Sequence, residues 1–231
     1  SACLYLADRI EALVGLFGVG ETPTGEKDPY GLRRAALGVI GTFELVGAAR
    51  GLDGKNIPDV RDFLMYAATL FDGRPLSPKV VDAVHDFILE RYWNNLATVF
   101  QMDKKAVEAV LSQRPNLMEV RARVDAVQTF QRLPEAESLA TANKRIRNIL
   151  RKSDATQGEL TEALLTEPAE KALFDSMQRI EPQAKSSMQQ SDFPGALRTL
   201  ATIRGAVDKF FDDVLVNAED TRVRANRHAL L

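Results

Sequence analysis

One cysteine, two histidines and one tryptophan among 231 residues leave little material for several kinds of chemistry. Cys3 alone excludes an internal disulfide framework and fits a reducing compartment. His85 and His228 lie far apart, whereas a metal centre needs several ligands converging on one ion. No Ser/His/Asp or Cys/His arrangement stands out, so neither a catalytic nor a metal-ligating residue is assigned. Long apolar runs are missing as well: nothing approaches the ~20 consecutive residues of a membrane span, and no membrane partner is expected. Asp8, Arg9 and Glu11 interrupt the first apolar stretch and argue against a signal peptide. An excess of one charge is also lacking, with thirty basic residues against thirty-two acidic and a formal charge of −2. Any surface for nucleic acid must therefore come from a local cluster. Ser1 in place of an initiator methionine, and a last stretch Ala229-Leu230-Leu231 inside an apolar helical pattern, read as the marks of a fragment.

What the chain does have is helical periodicity. Leu6, Ile10, Leu13, Val14 and Phe17 repeat as one buried helix face. A Gly/Pro-rich loop from Gly18 to Lys27 follows, and Asp28-Pro29 is expected to open the next helix with an Asp cap and proline at its first position. Leu32, Ala35, Ala36, Val39, Ile40 and Phe43 supply its stripe, and Gly51-Leu52-Asp53-Gly54 is expected to close it. Further amphipathic segments begin near Asp59 and at Ser77-Pro78, the latter turning Val80, Val81, Val84, Phe87 and Ile88 inward. Short helices are expected from about Asp103 and after Pro115-Asn116, with Asn116 as cap. No run of alternating β-branched residues suggests a strand. The composition, 45% hydrophobic and 27% charged, suits one large or two modest domains. A seam is placed near Ser112-Gln113-Arg114-Pro115, giving domains 1–112 and 113–231, with Leu133-Pro134 as a rival boundary.

The second half continues the pattern. Leu139, Ile146, Ile149 and Leu150 mark one face of a helix, Glu167-Pro168 opens a long helix with a bend expected at Pro182, and a further helix follows Asp192. That helix is expected to bury Leu197, Leu200, Ile203, Val207, Phe210, Phe211 and Val214. A final helix carries Arg222, Arg224 and Arg227. Antiparallel helices with short connections make a bundle, so the fold class is all-α.

The strongest local charge is Lys144, Arg145, Arg147, Arg151 and Lys152, five cations within nine residues and no carboxylate between them. Lys144, Arg147 and Arg151 share one helix face, while Arg145 and Lys152 form a neighbouring stripe. Asn143 and Asn148 flank the cluster and suit either base edges or backbone groups at a helix contact. Lys27, Arg33 and Arg34 lie at a helix start, where phosphates are also favoured, although pairing with nearby carboxylates is the plainer reading. The glycine loop lacks both the G-x-G-x-x-G and the G-x-x-x-x-G-K-[ST] spacing, so no nucleotide site is read there. His85-Asp86 suggests a metal dyad, but the plainer reading is an ordinary pair on a helix surface. Phe210 and Phe211 read as core, and Trp93 sits near an expected helix end.

Two blocks carry a resemblance. Leu6-Ala7-Asp8-Arg9-Ile10-Glu11-Ala12-Leu13-Val14-Gly15-Leu16-Phe17-Gly18-Val19-Gly20, with Pro23-Thr24-Gly25-Glu26-Lys27-Asp28-Pro29-Tyr30-Gly31-Leu32-Arg33-Arg34-Ala35-Ala36, resembles the signature region of bacterial two-subunit glycyl-tRNA synthetase β subunits. Glu11 and Gly31 stand where that family often has aspartate and alanine. Downstream, Ala142-Asn143-Lys144-Arg145-Ile146-Arg147-Asn148-Ile149-Leu150 is similar to the family's ANKRV-x-N-I-L block. Glu167-Pro168-Ala169-Glu170, Phe210-Phe211-Asp212-Asp213-Val214 and Arg224-Ala225-Asn226-Arg227 follow in the family's order. This resembles the DALR-type anticodon-binding domain, although Thr221-Arg222-Val223-Arg224 keeps only the arginine of that tetrad.

The resemblance implies a C-terminal portion of a helical HD-like domain followed by an anticodon-binding helical bundle. In an active HD enzyme Asp8 could stand at the last metal-ligand position, with the earlier ligands lying upstream of residue 1. The resemblance further implies tRNA(Gly) and the synthetase α subunit as partners in a cytoplasmic α2β2 ligase, with no DNA partner. No cofactor is expected in this segment, because ATP and Mg belong to the α subunit. The implied tRNA contacts are Asn143, Lys144, Arg145, Arg147, Asn148, Arg151 and Lys152, joined by Arg222 and Arg224 and by Lys27, Arg33 and Arg34. An HD-type phosphohydrolase fragment and a helical subunit-interaction scaffold are the alternatives.

Overall fold

The computed structural model describes residues 2–50, 58–71, 73, 76–152 and 159–231. Among these residues the chain is helical throughout, and the only extended pairing is an isolated bridge between Thr24 and Lys27. The turn expected at Gly51-Leu52-Asp53-Gly54 lies outside the described residues. The helices are α1 (Ala2–Gly18), α2 (Leu32–Arg50), α3 (Val60–Thr69), α4 (Val80–Asn94), α5 (Lys104–Leu111) and α6 (Val120–Phe130), then α7 (Ala136–Lys152), α8 (Pro168–Gln189), α9 (Phe193–Ala201), α10 (Arg204–Asp213) and α11 (Thr221–Leu230). They form two compact units, Ser1–Asp125 and Ala126–Leu231, and the division falls within α6.

In the first unit Ile10, Leu13, Val14 and Phe17 of α1 meet Leu32, Ala36, Val39, Ile40 and Phe43 of α2 and the buried face of α4. Phe17 and Phe87 pack with ring centroids 5.1 Å apart, and Phe43 meets Phe63 edge-on at 5.9 Å. Gly18 ends α1 where a Cβ would stand 2.3 Å from the Leu76 side chain, so any larger residue would have to push that leucine aside. Helix α2 starts later than the sequence suggests. Pro29 and Tyr30 form a turn, Gly31 adopts φ +67°, and the Asp28 carboxylate accepts the amides of Leu32 at 2.8 Å and Arg33 at 3.0 Å. Asp28 is thus the capping acceptor, but Pro29 is not the first helical residue. Asp59 caps α3 in a reciprocal box with Asp62. Helix α4 does not stop at Asn95 but continues as a π turn over Asn95–Val99. Asn116 accepts the Met118 amide at 3.1 Å in a turn, and α6 begins only at Val120. Tyr92 donates to Glu44 at 2.7 Å, and Arg121 pairs with the same carboxylate at 3.1 Å while lying 3.8 Å over the Phe100 ring.

The second unit packs Leu165, Ala169, Leu173, Val207, Phe210, Val214, Val216 and Leu230 into one core. Pro168 occupies the first turn of α8, whose interior Pro182 leaves the exposed Gln178 carbonyl without its helical donor. The helix after Asp192 is two helices rather than one. It breaks after Ala201, where the Thr202 hydroxyl donates back to the Thr199 carbonyl at 2.7 Å and competes with the helical ladder. As a result Leu200 is exposed, not buried.

At the base of this core lies a buried ion pair. Glu170 is fully buried and Arg227 is 7% exposed. Arg227 Nε donates to one Glu170 oxygen, and the other accepts the Thr166 and Glu167 amides at 2.7 and 2.8 Å. Arg227 Nη1 reaches the Leu215 carbonyl at 2.8 Å. Removing one member of such a pair strands the other's charge without water, which costs about 3–5 kcal/mol. Arg227→Met should therefore lower stability by about that amount in urea unfolding followed by circular dichroism. Combining it with Glu170→Gln, which removes the stranded charge and keeps an acceptor for the amides, should restore part of the loss. A single-variant loss under about 1 kcal/mol would contradict this role for the pair.

Candidate nucleic-acid interface

Helix α7 sets the geometry of the cationic cluster. Ala142 and Ile149 pack toward the core of the second unit, which turns the opposite side to solvent. At 100° per residue, Arg147 and Arg151 point away from the core with Lys144 beside them. Arg145, Asn148 and Lys152 turn to the flank. There they wall a groove of about 920 Å³ with Lys144 at its rim. The opposite wall is the end of α10 and the segment after it: Phe211, Asp212, Asp213, Leu215 and Asn217. The Arg145 guanidinium lies 4.1 Å from the Phe211 ring centroid, a cation–π stack. Arg151 Nη2 donates to Asn148 at 3.4 Å, and Asn143 is exposed. Lys144, Arg147 and Lys152 have no ion-pair partner among the described residues.

The helical spacing predicts Phe211 as core. Its neighbour Phe210 is, with no exposure, but Phe211 is half-buried, edge-on to Phe210 at 5.6 Å, and forms part of the groove. In the sequence Asp212 and Asp213 stand out only as part of a family block, not as site residues, and nothing marks Asn217. Two carboxylates directly after a packed phenylalanine pair were the available signal, since the end of a buried stripe is where the chain turns outward.

The remaining candidates behave differently. The Arg222 side chain is exposed, and its amide, with that of Val223, is held by Asp220 at 2.8 and 3.2 Å. Those two amides pull the Asp220 carboxyl below its usual range. Arg224 is half-buried and donates to the Ala218 carbonyl at 3.2 Å. Lys27, Arg33 and Arg34 belong to the first unit. Lys27 and Arg34 are exposed, whereas Arg33 folds back to donate to the Gly25 carbonyl instead of pairing with a carboxylate.

His85-Asp86 is not a surface pair, because His85 is 3% exposed. Arg114 Nη1 lies 3.3 Å from His85 Nδ1, and Nη2 donates to Asp86. With Nδ1 accepting, the imidazole proton sits on Nε2, which is buried without a partner among the described residues. Asp8 is exposed and pairs with Arg9 at 3.3 Å. No group of three or more His, Cys, Asp or Glu positioned to hold a metal occurs among the described residues.

Burial pushes the His85 pKa down, with Arg114 and Arg61 adding to that and Asp59 and Asp86 opposing it. A histidine whose folded pKa is depressed adds stability that is fully present above the ordinary value of about 6.5. That stability is lost as pH falls from there through the lower folded value, because the unfolded chain takes up the proton first. His85→Asn should flatten the fall in unfolding free energy between pH 7.5 and 5, measured by urea unfolding, by about 1.4 kcal/mol for each pH unit separating the two pKa values. Equal slopes for parent and variant would contradict a neutral, buried His85.

The comparisons with known proteins fit this geometry. Residues 139–231, which include α7, the groove and α11, match the family model described as the DALR anticodon binding domain. The second unit is therefore an anticodon-binding helical module by class. Residues 1–112 match the model of the glycyl-tRNA synthetase beta subunit. Glycine–tRNA ligase beta subunits are similar along the whole length: that of Ralstonia nicotianae is 44% identical over 227 residues, covering 98% of this chain and 31% of that protein. The subunit of Neisseria meningitidis is 41% identical over 234 residues (100% and 32%), and that of Methylobacillus flagellatus 40% over 228 (98% and 31%). The chain belongs to the glycyl-tRNA synthetase β-subunit family. It spans about a third of the length of the curated relatives it matches. No described helix is long and apolar enough to cross a membrane.

Proposed function

We propose that this chain is a tRNA-holding part of a glycine–tRNA ligase β subunit, positioning tRNA(Gly) through anticodon and backbone contacts for aminoacylation elsewhere. The observation that carries this reading is α7, where three cations with no ion-pair partner among the described residues stand exposed inside the segment matched by the anticodon-binding model. Exposed Lys and Arg side chains with no carboxylate partner are free to displace the counterions condensed on a phosphate backbone.

On this reading the bond-making site, with glycine, ATP and Mg, belongs to the α subunit, and the two subunits work together in the cytoplasm as an α2β2 assembly. Energy gained by gripping the far end of a substrate can place its reacting end, which raises the rate without a catalytic side chain nearby. The first unit is then a helical HD-like portion with a structural part. Its candidate dyad supports that reading, since Arg114 already engages both His85 and Asp86.

The affinity of the chain for tRNA(Gly) should fall steeply with salt. The slope of log affinity against log salt changes by roughly 0.7–0.9 for each phosphate contact. Lys144→Ala/Arg147→Ala/Arg151→Ala should weaken binding and flatten that slope by about two units. Identical titrations for parent and triple variant would remove α7 from the interface.

A further inference from the structure

The turn between α5 and α6 is seated at both ends and exposed in the middle. Leu111 and Pro115 are buried, whereas Ser112, Gln113 and Arg114 stand in solvent. Arg114 adopts φ +48°, a left-handed conformation that glycine favours and a side chain makes costly. Its amide donates to the Leu111 carbonyl at 3.0 Å. A residue held in such a region needs more than one turn bond to keep it there. The guanidinium supplies the rest, reaching back 28 and 29 positions to Asp86 and to His85 Nδ1.

These two anchors respond differently to acid. Asp86 is a half-exposed acceptor, but His85 is buried and its neutral proton already sits on Nε2. The next proton can go only to Nδ1, the atom that Arg114 faces at 3.3 Å. There it turns an acceptor into a donor and sets a second cation against the guanidinium. His85 cannot retreat, because it lies on α4 beside the fully buried Val84 and Ile88. The other charges facing it are Asp59 and Arg61 at the start of α3, and Asp82 and Asp86 on α4. Arg61 is tied to Asp82 at 2.6 Å, and Asp59 is engaged in capping α3. The Arg114 side chain is half-exposed and can swing into water. Burial holds the His85 titration below the ordinary histidine range, so this contact is closed at neutral pH.

We infer that His85 and Arg114 form an acid-sensitive latch, in which a proton on His85 Nδ1 expels the Arg114 side chain and frees residues 112–114. Leu111 and Pro115 stay seated, so the loosening is confined to the turn. Above the His85 transition the latch fixes the path of the chain from α5 to α6, and below it the turn alone becomes mobile. The inference does not depend on the tRNA-holding reading, and it gives the first unit a conformational response of its own.

The test follows 15N relaxation of the full chain from pH 7.5 to 5, beside the ring signals of His85. Amide order parameters at Ser112, Gln113 and Arg114 should fall from about 0.85 to below about 0.6, with the midpoint of the His85 ring. In His85→Asn the turn should stay ordered throughout. Arg114→Gln, an exposed change, removes the opposing cation. It should raise the His85 midpoint by about half a pH unit or more, a roughly threefold gain in proton affinity. A turn that shifts with the new charge but stays ordered across the His85 transition would overturn the latch. So would the same loosening in His85→Asn, an unmoved midpoint in Arg114→Gln, or a His85 ring that remains neutral down to pH 5.

Discussion

A carboxylate sealed from water is tolerated only where both of its oxygens are hydrogen-bonded and its charge is paired. Glu170 meets that condition through two amides at the start of α8 and the guanidinium of Arg227. The geometry of the second unit follows from it. The start of α8 is fixed because the two amides just before it, of Thr166 and Glu167, end on Glu170, and Arg227 ties α11 to the same carboxylate. Arg227 then carries the constraint outward to the Leu215 carbonyl. Asn226 does the same on the other side, accepting the Thr161 amide at 2.7 Å. The groove wall beside α7 is therefore anchored in the most dehydrated part of the unit, although it lies on the surface.

This arrangement separates two demands that conflict when placed on the same residues. Ion pairs that hold a fold want to be dry, and cations that hold a polynucleotide want to be wet and unpaired. Within the second unit Arg227 is buried in its ion pair, whereas Lys144, Arg147 and Lys152 are exposed with no ion-pair partner among the described residues, which is what the proposed tRNA-holding role requires. A net charge of −2 is compatible with RNA binding because the field that matters is local. Carboxylates elsewhere are screened from a ligand on α7 by ordinary ionic strength.

Much of this was readable in the chain, and the misses share a cause. Periodicity placed the stripes of α1, α2 and α4, because burial along one helix is a local property of spacing. It also placed the cations of α7 on two adjoining faces. Local chemistry read too literally misplaced the start of α2: Asp28 does cap it, but from before a turn that Pro29 and Tyr30 make first. The break at Thr202 was hidden because the apolar spacing continues across it, while a hydroxyl decides the matter. The groove was not legible, since Phe211 has the spacing of a core residue and only the packing of α7 and α10 shows its outer face. Likewise Glu170 and Arg227 stand 57 positions apart, and nothing in either neighbourhood announces the other. The burial of His85 had the same origin, an arginine brought to it across 29 positions.

The central claim is that RNA is held by α7 and the groove it shares with residues 211–217. Amide chemical shifts of the labelled chain, followed as an anticodon stem-loop of tRNA(Gly) is titrated in, test it most directly. The account predicts shifts concentrated on Lys144–Lys152 and Phe211–Asn217, with the amides of Thr166 and Glu167 unmoved beside their buried carboxylate. Shifts confined to other helices, with α7 and the groove silent at saturation, would contradict it.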